Sequence, residues 1–469
     1  MKRILKYSLL LIVFLINQLS FAINDSMMVM GYEDYIGMIK NHHPMARRAE
    51  LKVEIAERQY ASAKGSFDPQ INSSMSQKIY ENTEYYKIFG TSLKVPAWFG
   101  IEVYTGIDMS AGTYLNPERN LPDNGLYYAG ISLPLGQDLF IDYRMFELKK
   151  ADIYLQAGLY EKQLLMNELL MDASVVYWNW FKAYNALRVY EEIYATASIR
   201  FEAIKKSALG GDRPFIDTVE AHINLQNRYM AMLTASNDYD NKTKQAATFL
   251  WAEGMVPLEI TEKLCPPFYE NMKVVLYEPN VISLGDSLIL NHPKIKMNDN
   301  KLDYLALEKR YRQEQLKPQI DLKYNFITEP LSAGTSSASF NNYTWGFEIS
   351  TPIFLMNERN ALKVTKLQME DNLLAGSMLL ADLTYKNYMA ANNWKNSADQ
   401  LMLWQGVAKN YLALFEAEMA LFNSGESSIF MINSREMDRI NALLKWIDLI
   451  VQNQVAVQQY EYSLGIMAE

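Results

Sequence analysis

Three histidines are the side chains whose type and spacing first invite a chemical interpretation. His42 and His43 are adjacent, and His292 lies in a matching Asn-His-Pro context later in the chain. Adjacent histidines on a helix point in different directions, and no convincing cysteine or carboxylate cluster accompanies them. Because both sets adjoin a proline, we interpret them as residues at a helix entry and predict no metal site.

The sequence also lacks the motifs of catalysis and cofactor binding. It contains no G-x-S-x-G, no H-E-x-x-H and no phosphate-binding glycine loop, and Gly210-Gly211 is interpreted as a turn. Cys265 is the only cysteine, so no intrachain disulfide is available. The net charge of −9 disfavours nucleic acid as a partner, because phosphate binding needs clustered Lys and Arg. We therefore predict a protein that is not an enzyme and holds no cofactor.

The N-terminus is typical of a secreted protein. A basic start with Lys2 and Arg3 precedes a short apolar run, and Ser20-Phe21-Ala22 is a small-x-small cleavage site. We predict a signal peptide, residues 1–22, removed after Ala22; the alternative is a retained anchor. No later stretch is apolar over the roughly 20 residues that a membrane-spanning helix needs. A mature protein that enters a membrane would therefore do so as a closed barrel.

The rest of the chain contains the same landmarks twice. The spacing from Pro44 to Pro69 recurs from Pro293 to Pro318, and Gln-Ile follows the second proline of each pair. A Ser-x-Pro segment and a long proline-free stretch that ends at a glycine follow in both halves. This order predicts two structural repeats, each with strands and a helical hairpin. The predicted repeats are residues 23–255 and 285–469, and the connector between them is residues 256–284.

Each repeat combines short strands with long helices. Apolar and polar residues alternate at residues 101–110, 321–327 and 343–350, which is the period of strands with one apolar face. We predict about four strands per chain; the pairing of strand-like residues 82–112 is left open. Residues 137–209 and 357–424 contain no proline, which predicts helices roughly 100 Å long at 1.5 Å rise per residue. Return helices are predicted at residues 215–253 and 427–463.

Four strands from one chain cannot form a barrel by themselves. The smallest usual barrel has eight strands, and an open edge in lipid leaves backbone groups unpaired. Several copies of the chain must therefore contribute strands to one barrel.

Taken together, these features resemble the TolC-like outer-membrane efflux family. The resemblance rests on the paired Asn-His-His-Pro and Asn-His-Pro segments, the paired Pro-Gln-Ile segments, the Ser-x-Pro strand exits and the tip glycines, and it covers nearly all of the mature chain. It implies a mixed α+β membrane protein, a homotrimer whose twelve-stranded outer-membrane β-barrel continues as a long α-helical barrel through the periplasm. It also implies contact with outer-membrane lipid, docking to a periplasmic adaptor, and an energised inner-membrane pump of the RND, ABC or MFS type.

In the family, residues after the tip glycine close the periplasmic entrance. After Gly211, Asp217 and Glu220 stand three positions apart, on nearly the same helix face. Three copies would bring like charges together, which could bind cations or respond to protonation. The alternative is that both acids favour the helix dipole and face solvent.

The stretch after Gly425 departs from the family pattern. Some members carry aspartates at the sixth and ninth positions after the glycine, where this chain has Met431 and Ser434. An acidic ring is therefore in doubt, and we predict a hydrophobic and hydrogen-bonded constriction, since apolar pinch points can gate by dewetting. Three further charged residues, Arg435, Glu436 and Asp438, either pair at the tip, meet the adaptor or stay solvated.

The expected function is an outer-membrane channel for efflux or secretion. One alternative is a periplasmic coiled-coil adaptor or another structural protein of an envelope-spanning complex, which predicts one hairpin plus compact β-domains. A secreted hydrolase with an unfamiliar motif is a second alternative.

Overall fold

The computed structural model describes residues 28–277, 285, 287–329 and 341–468. The predicted signal peptide and its cleavage residue Ala22 lie outside this part. Most of the described chain is helical. None of the helices in the described residues carries an apolar stretch long enough to cross a membrane.

Two very long helices dominate the structure, one of 67 residues and one of 68. Each is followed by a return helix, as the proline-free stretches predicted. The helices are α1 (Tyr32–His42), α2 (Pro44–Lys64), α3 (Tyr143–Leu209), α4 (Phe215–Ala247), α5 (Pro293–Glu314), α6 (Met356–Asn423) and α7 (Ile429–Leu464).

Proline and histidine mark the helix beginnings for a local physical reason. Pro44 and Pro293 are the first residues of α2 and α5, where a missing N–H leaves no intrahelical bond unmade. The His292 side chain caps α5, because its Nδ1 accepts the backbone N–H of Lys294 at 3.1 Å. The ring of His43, between α1 and α2, stacks on Phe249 at 5.7 Å between centroids. His43 therefore packs on an aromatic ring, and His292 caps a helix.

The chain divides into two compact units, described separately here. The tip unit contains the described residues of 1–43, 172–277 and 394–457, and the sheet unit contains those of 44–171, 278–393 and 458–469. Each unit draws on both halves of the sequence. The predicted division into two repeats and a connector stays a prediction.

One antiparallel sheet of six strands belongs to the sheet unit. Its spatial order is β10-β9-β5-β4-β3-β2, so the last strand of the sequence and the first one are the two edges. The two short pairings outside it are β1 (Met28–Val29) with β8 (Leu264–Cys265), and β6 (Trp251–Ala252) with β7 (Val256–Pro257). The sheet strands are β2 (Gln70–Tyr80), β3 (Thr83–Pro96), β4 (Glu102–Ala111), β5 (Leu126–Pro134), β9 (Gln319–Thr328) and β10 (Tyr343–Ser350).

The prediction of about four strands per chain is wrong, because the sheet has six. The additional pair is the β2–β3 hairpin, which begins immediately after Pro69. Its two-residue turn is Glu81-Asn82, with φ of 52° and 59°. Two left-handed residues make a type I′ turn, which is usually signalled by Asn-Gly or Asp-Gly. Since this turn contains no glycine and β2 is largely polar, the sequence shows no strong hairpin signal.

The two faces of the sheet differ in polarity. Large apolar side chains on one face are exposed in the single chain, including Trp345 at 62% and Phe347 at 64%. The intervening residues of the same strand, Thr344, Gly346 and Glu348, lie on the opposite face. The alternation predicted for residues 343–350 is thus present.

The tip unit has a conventional buried core of aromatic residues. Tyr177, Trp178, Trp180 and Phe181 are all at most 1% exposed. Tyr177 donates its hydroxyl hydrogen to the Met30 carbonyl at 3.0 Å. Four neighbouring side chains of one helix are buried only when partners cover more than one face.

Candidate functional site

Both predicted tip glycines lie in the turns between paired helices of the tip unit. Gly211 (φ 82°) follows α3, and Gly425 (φ 81°) follows α6. In each turn the next residue bonds back to a carbonyl five positions earlier, Asp212 to Ser207 at 3.0 Å and Glu426 to Leu421 at 2.9 Å. This is the Schellman arrangement, which requires a left-handed residue. Glycine is needed for its conformation, because a Cβ would meet no atom within 4 Å at either position.

The two acidic candidates after the first turn have different partners. Asp217 lies 3.7 Å from the guanidinium of Arg213, one helical turn earlier. Glu220 accepts a hydrogen bond from Asn433 Nδ2, on α7, at 3.4 Å. Within one chain, therefore, each acid has a neutralising or hydrogen-bonding neighbour.

The candidates after the second turn differ in exposure. Met431 is half-buried, Ser434 is exposed, and Arg435 is half-buried with Asp438 3.5 Å away. Two large apolar side chains near the turns are far more exposed, Phe430 at 68% and Ile216 at 73%. The second turn thus presents apolar and hydroxyl groups, while Arg435 and Asp438 pair along the helix.

A buried ion cluster joins three helices of the tip unit. Glu436 of α7 accepts from Arg200 of α3 at 2.5 Å and from Arg228 of α4 at 3.3 Å. Asn433 accepts a further bond from Arg200 at 3.4 Å. Glu436 is 2% exposed, and the arginines are 9% and 5% exposed. The sequence predicted that Glu436 pairs at the tip, meets the adaptor or stays solvated. In the structure it is buried, and its partners lie more than 200 positions away along the chain.

A hydrophobic cluster packs the helices that carry these turns. Phe201 and Met419 pack against its buried members. Its members come from α3, α4, α6 and α7, so the two helical hairpins share one core. The buried members are Ile204, Ala221, Phe415, Phe422, Ile429 and Ile432.

The described residues contain no group of three or more His, Cys, Asp or Glu side chains placed to hold a metal ion. The arrangement around the turns is therefore one of packing, apolar exposure and ion pairing. Such groups can hold helices together or constrict a passage.

Comparisons with solved structures identify the fold. The chain matches the Campylobacter jejuni CmeC outer-membrane channel with a TM-score of 0.63 at 13% identity, covering 92% of this chain and 85% of that one. It matches the Vibrio cholerae outer-membrane protein VceC with a TM-score of 0.62 at 11% identity, covering 92% and 96%. The open-state Neisseria gonorrhoeae MtrE channel gives 0.63 at 14% identity, covering 92% and 88%.

The chain has the fold of these outer-membrane channels. The TolC-like fold expected from the sequence landmarks is thereby confirmed. No family model matches the sequence, and no curated protein does.

Proposed function

We propose that the protein is an outer-membrane duct for efflux or secretion. It is a homotrimer whose copies share one β-barrel in the outer membrane and continue as an α-helical barrel in the periplasm. It catalyses no reaction and works with a periplasmic adaptor and an energised inner-membrane pump of the RND, ABC or MFS type. The pump supplies the energy and the choice of cargo.

The apolar face of the six-stranded sheet carries this proposal. A monomeric soluble protein rarely exposes a large contiguous apolar area, and here residues such as Trp345, Phe347 and Ile349 are 59–64% exposed on one strand. The other face of that strand is small or polar. Strands that alternate in this way suit lipid on one side and water on the other.

The sheet edges support sharing between copies. The sheet ends at β2 on one side and β10 on the other, and every residue of both strands is exposed. Six strands are fewer than the usual minimum of eight for a closed barrel, and an open edge in lipid leaves backbone groups unpaired. A neighbouring copy supplies the missing strands.

The coiled-coil adaptor is the weaker alternative. It predicts one helical hairpin with compact β-domains, whereas this chain has two helical hairpins and a sheet with an apolar outer face. A hydrolase is not supported by any catalytic motif in the sequence.

The periplasmic gate is assigned to the turns of the tip unit. Met431 and Ser434 form the constriction, with Gly211 and Gly425 setting the turns that carry it. Asp217 and Glu220 have partners within their own chain, so an acidic selectivity ring is not part of this proposal. Arg435 is available to the adaptor, because its partner Asp438 is a half-exposed residue whose pairing is weak.

Two neighbouring substitutions test the membrane assignment. Trp345→Arg places a charge on the lipid face, which costs about 2–4 kcal/mol near the middle of a bilayer. Thr344→Arg places the same charge on the opposite face of the same strand. We expect Trp345→Arg to abolish recovery of the protein in outer-membrane fractions and Thr344→Arg to leave it intact. Equal recovery of both variants would contradict a lipid-facing role for the apolar face.

A further inference from the structure

The β2–β3 hairpin is a continuous part of the sheet rather than an appended flap. β2 pairs with β3 over the whole strand, from Gln70 opposite Lys94 to Tyr80 opposite Thr83. β3 in turn pairs with β4 from Lys87 to Pro96. A hairpin that folded away from the wall would not share such a long hydrogen-bonded ladder with it.

The polarity of the hairpin faces matches that of the other four strands. Residues directly opposite each other on neighbouring strands lie on the same face of a sheet. A row of such residues across all strands therefore shows the polarity of one face. One row that crosses all six strands is mostly apolar, and the adjacent row is polar or small apart from one tyrosine. The first row is Ile71, Leu93, Thr105, Ala129, Phe326 and Tyr343. The second row is Gln70, Lys94, Tyr104, Gly130, Asn325 and Thr344.

The two edge strands can pair with each other between copies. All neighbours in the sheet are antiparallel and the number of strands is even, so β2 and β10 run in opposite directions. An edge β10 of one copy can therefore pair with β2 of the next as an ordinary antiparallel ladder. Such head-to-tail contacts between identical chains close into a ring when the rotation between copies divides a full turn.

We infer that each copy supplies six strands to the shared wall, so that three copies form an eighteen-stranded barrel that passes bulky hydrophilic cargo. This inference rests on the proposed trimeric duct. At a strand spacing of about 4.8 Å and a tilt of about 40°, twelve strands enclose a backbone diameter of about 24 Å and eighteen about 36 Å. The cross-section is then about twofold larger than that of a twelve-stranded wall.

Charges on the polar face favour selection by size over selection by charge. Lys94 and Glu102 pair at 2.6 Å, and both signs occur along the other strands of this face. A lumen lined by mixed charges has no strong field of one sign to reject either cations or anions. The positive residues are Lys78, Lys94 and Lys323, and the negative residues are Glu102, Asp108, Asp321 and Glu348.

Electron cryomicroscopy of the full-length protein in lipid nanodiscs tests the strand number directly. We expect a trimer with eighteen strands around the pore and β2 paired with β10 of the next copy. A trimer with twelve wall strands and the β2–β3 hairpin outside the wall overturns the inference and leaves the proposed duct standing. A dimer with a twelve-stranded wall also overturns it. A water-soluble monomer would overturn both.

Deletion of residues 70–97 tests the consequence for cargo size. The deletion joins Pro69 to the turn before β4 and leaves four strands per chain. We expect the deleted protein, reconstituted in planar bilayers, to exclude smaller polyethylene glycols from its outer mouth than the full chain does, with an approximately twofold smaller cross-section. The control exchanges the turn residues, Glu81→Asn with Asn82→Gly, and should leave the size of excluded polyethylene glycol unchanged. An unchanged exclusion size after deletion contradicts the inference. If the deleted chain fails to assemble, the number of strands seen by electron cryomicroscopy of the full chain decides.

Discussion

The six-stranded sheet and the core of the tip unit use the same residue types in opposite ways. In the sheet, Trp345 is 62% exposed, whereas in the tip unit Trp178 is 1% exposed. The tip unit also buries a charged residue, Glu436, at 2% exposure. The tip unit therefore contains its own core, while under the proposed function the apolar face of the sheet is covered by lipid and its edges pair with neighbouring copies. The following predictions test this difference in order of decreasing effect.

The largest effect is expected at the buried ion cluster. Glu436→Gln leaves the Arg200 and Arg228 charges buried without a carboxylate, and breaking a buried pair in this way costs about 3–5 kcal/mol. Asp438→Asn removes a similar group two positions along α7 that pairs at the surface, where about 0–1 kcal/mol is at stake. Amide hydrogen exchange of α7 should accelerate strongly in the first variant only. Equal exchange in both variants would show that the cluster does not stabilise the helices.

The next effect concerns pH and the cap of α5 in the sheet unit. Burial, with a smaller contribution from the Lys294 charge, lowers the pKa of His292 from 6.5 to about 4. The folded state thus favours neutral His292. The contribution of this residue to the free energy of unfolding is full above pH 6.5 and is lost as the pH falls towards 4. The loss amounts to roughly 3 kcal/mol at most.

His292→Asn isolates this contribution, because asparagine keeps an acceptor at the cap but does not titrate. Unfolding midpoints measured from pH 7.5 to pH 4 should fall less steeply for the variant than for the native chain. Parallel curves would refute the assignment.

Two glycines of the tip unit should respond to alanine with opposite signs. Gly425 has a left-handed φ of 81°, so Gly425→Ala destabilises by about 1–2 kcal/mol. Gly406 lies inside α6 with open space around its Cβ position, so Gly406→Ala stabilises by about 0.5–1 kcal/mol. Unfolding midpoints of the two variants check this. A neutral result at Gly425 would mean that the turn does not depend on the glycine conformation.

The smallest structural effect is expected at the proposed constriction. Met431→Ala shortens a half-buried side chain and should raise the closed-state leak in single-channel recordings, because apolar narrowing is lost. Met402→Ala on α6, where the side chain is 49% exposed, is the matched control and should not leak. An unchanged leak in Met431→Ala would remove this residue from the gate.

Local patterns in the sequence predicted the elements but not all of their partners. The proline-free stretches and the tip glycines predicted the long helices and their turns, because proline and glycine determine the backbone conformation at their own positions. Residues 82–112 are strand-like, but the pairing of β2 with β3 could not be predicted, because Glu81-Asn82 adopts a turn usually occupied by glycine. The contacts of Glu436 with Arg200 and Arg228 form only where three helices meet, so the spacing of residues within one helix could not predict them.

Conductance of the purified protein in planar lipid bilayers tests the central claim most directly. The account predicts stable steps of current from a detergent-solubilised trimer and their absence for Trp345→Arg, with Thr344→Arg conducting. Recovery of the native chain as a water-soluble monomer that never conducts would contradict it.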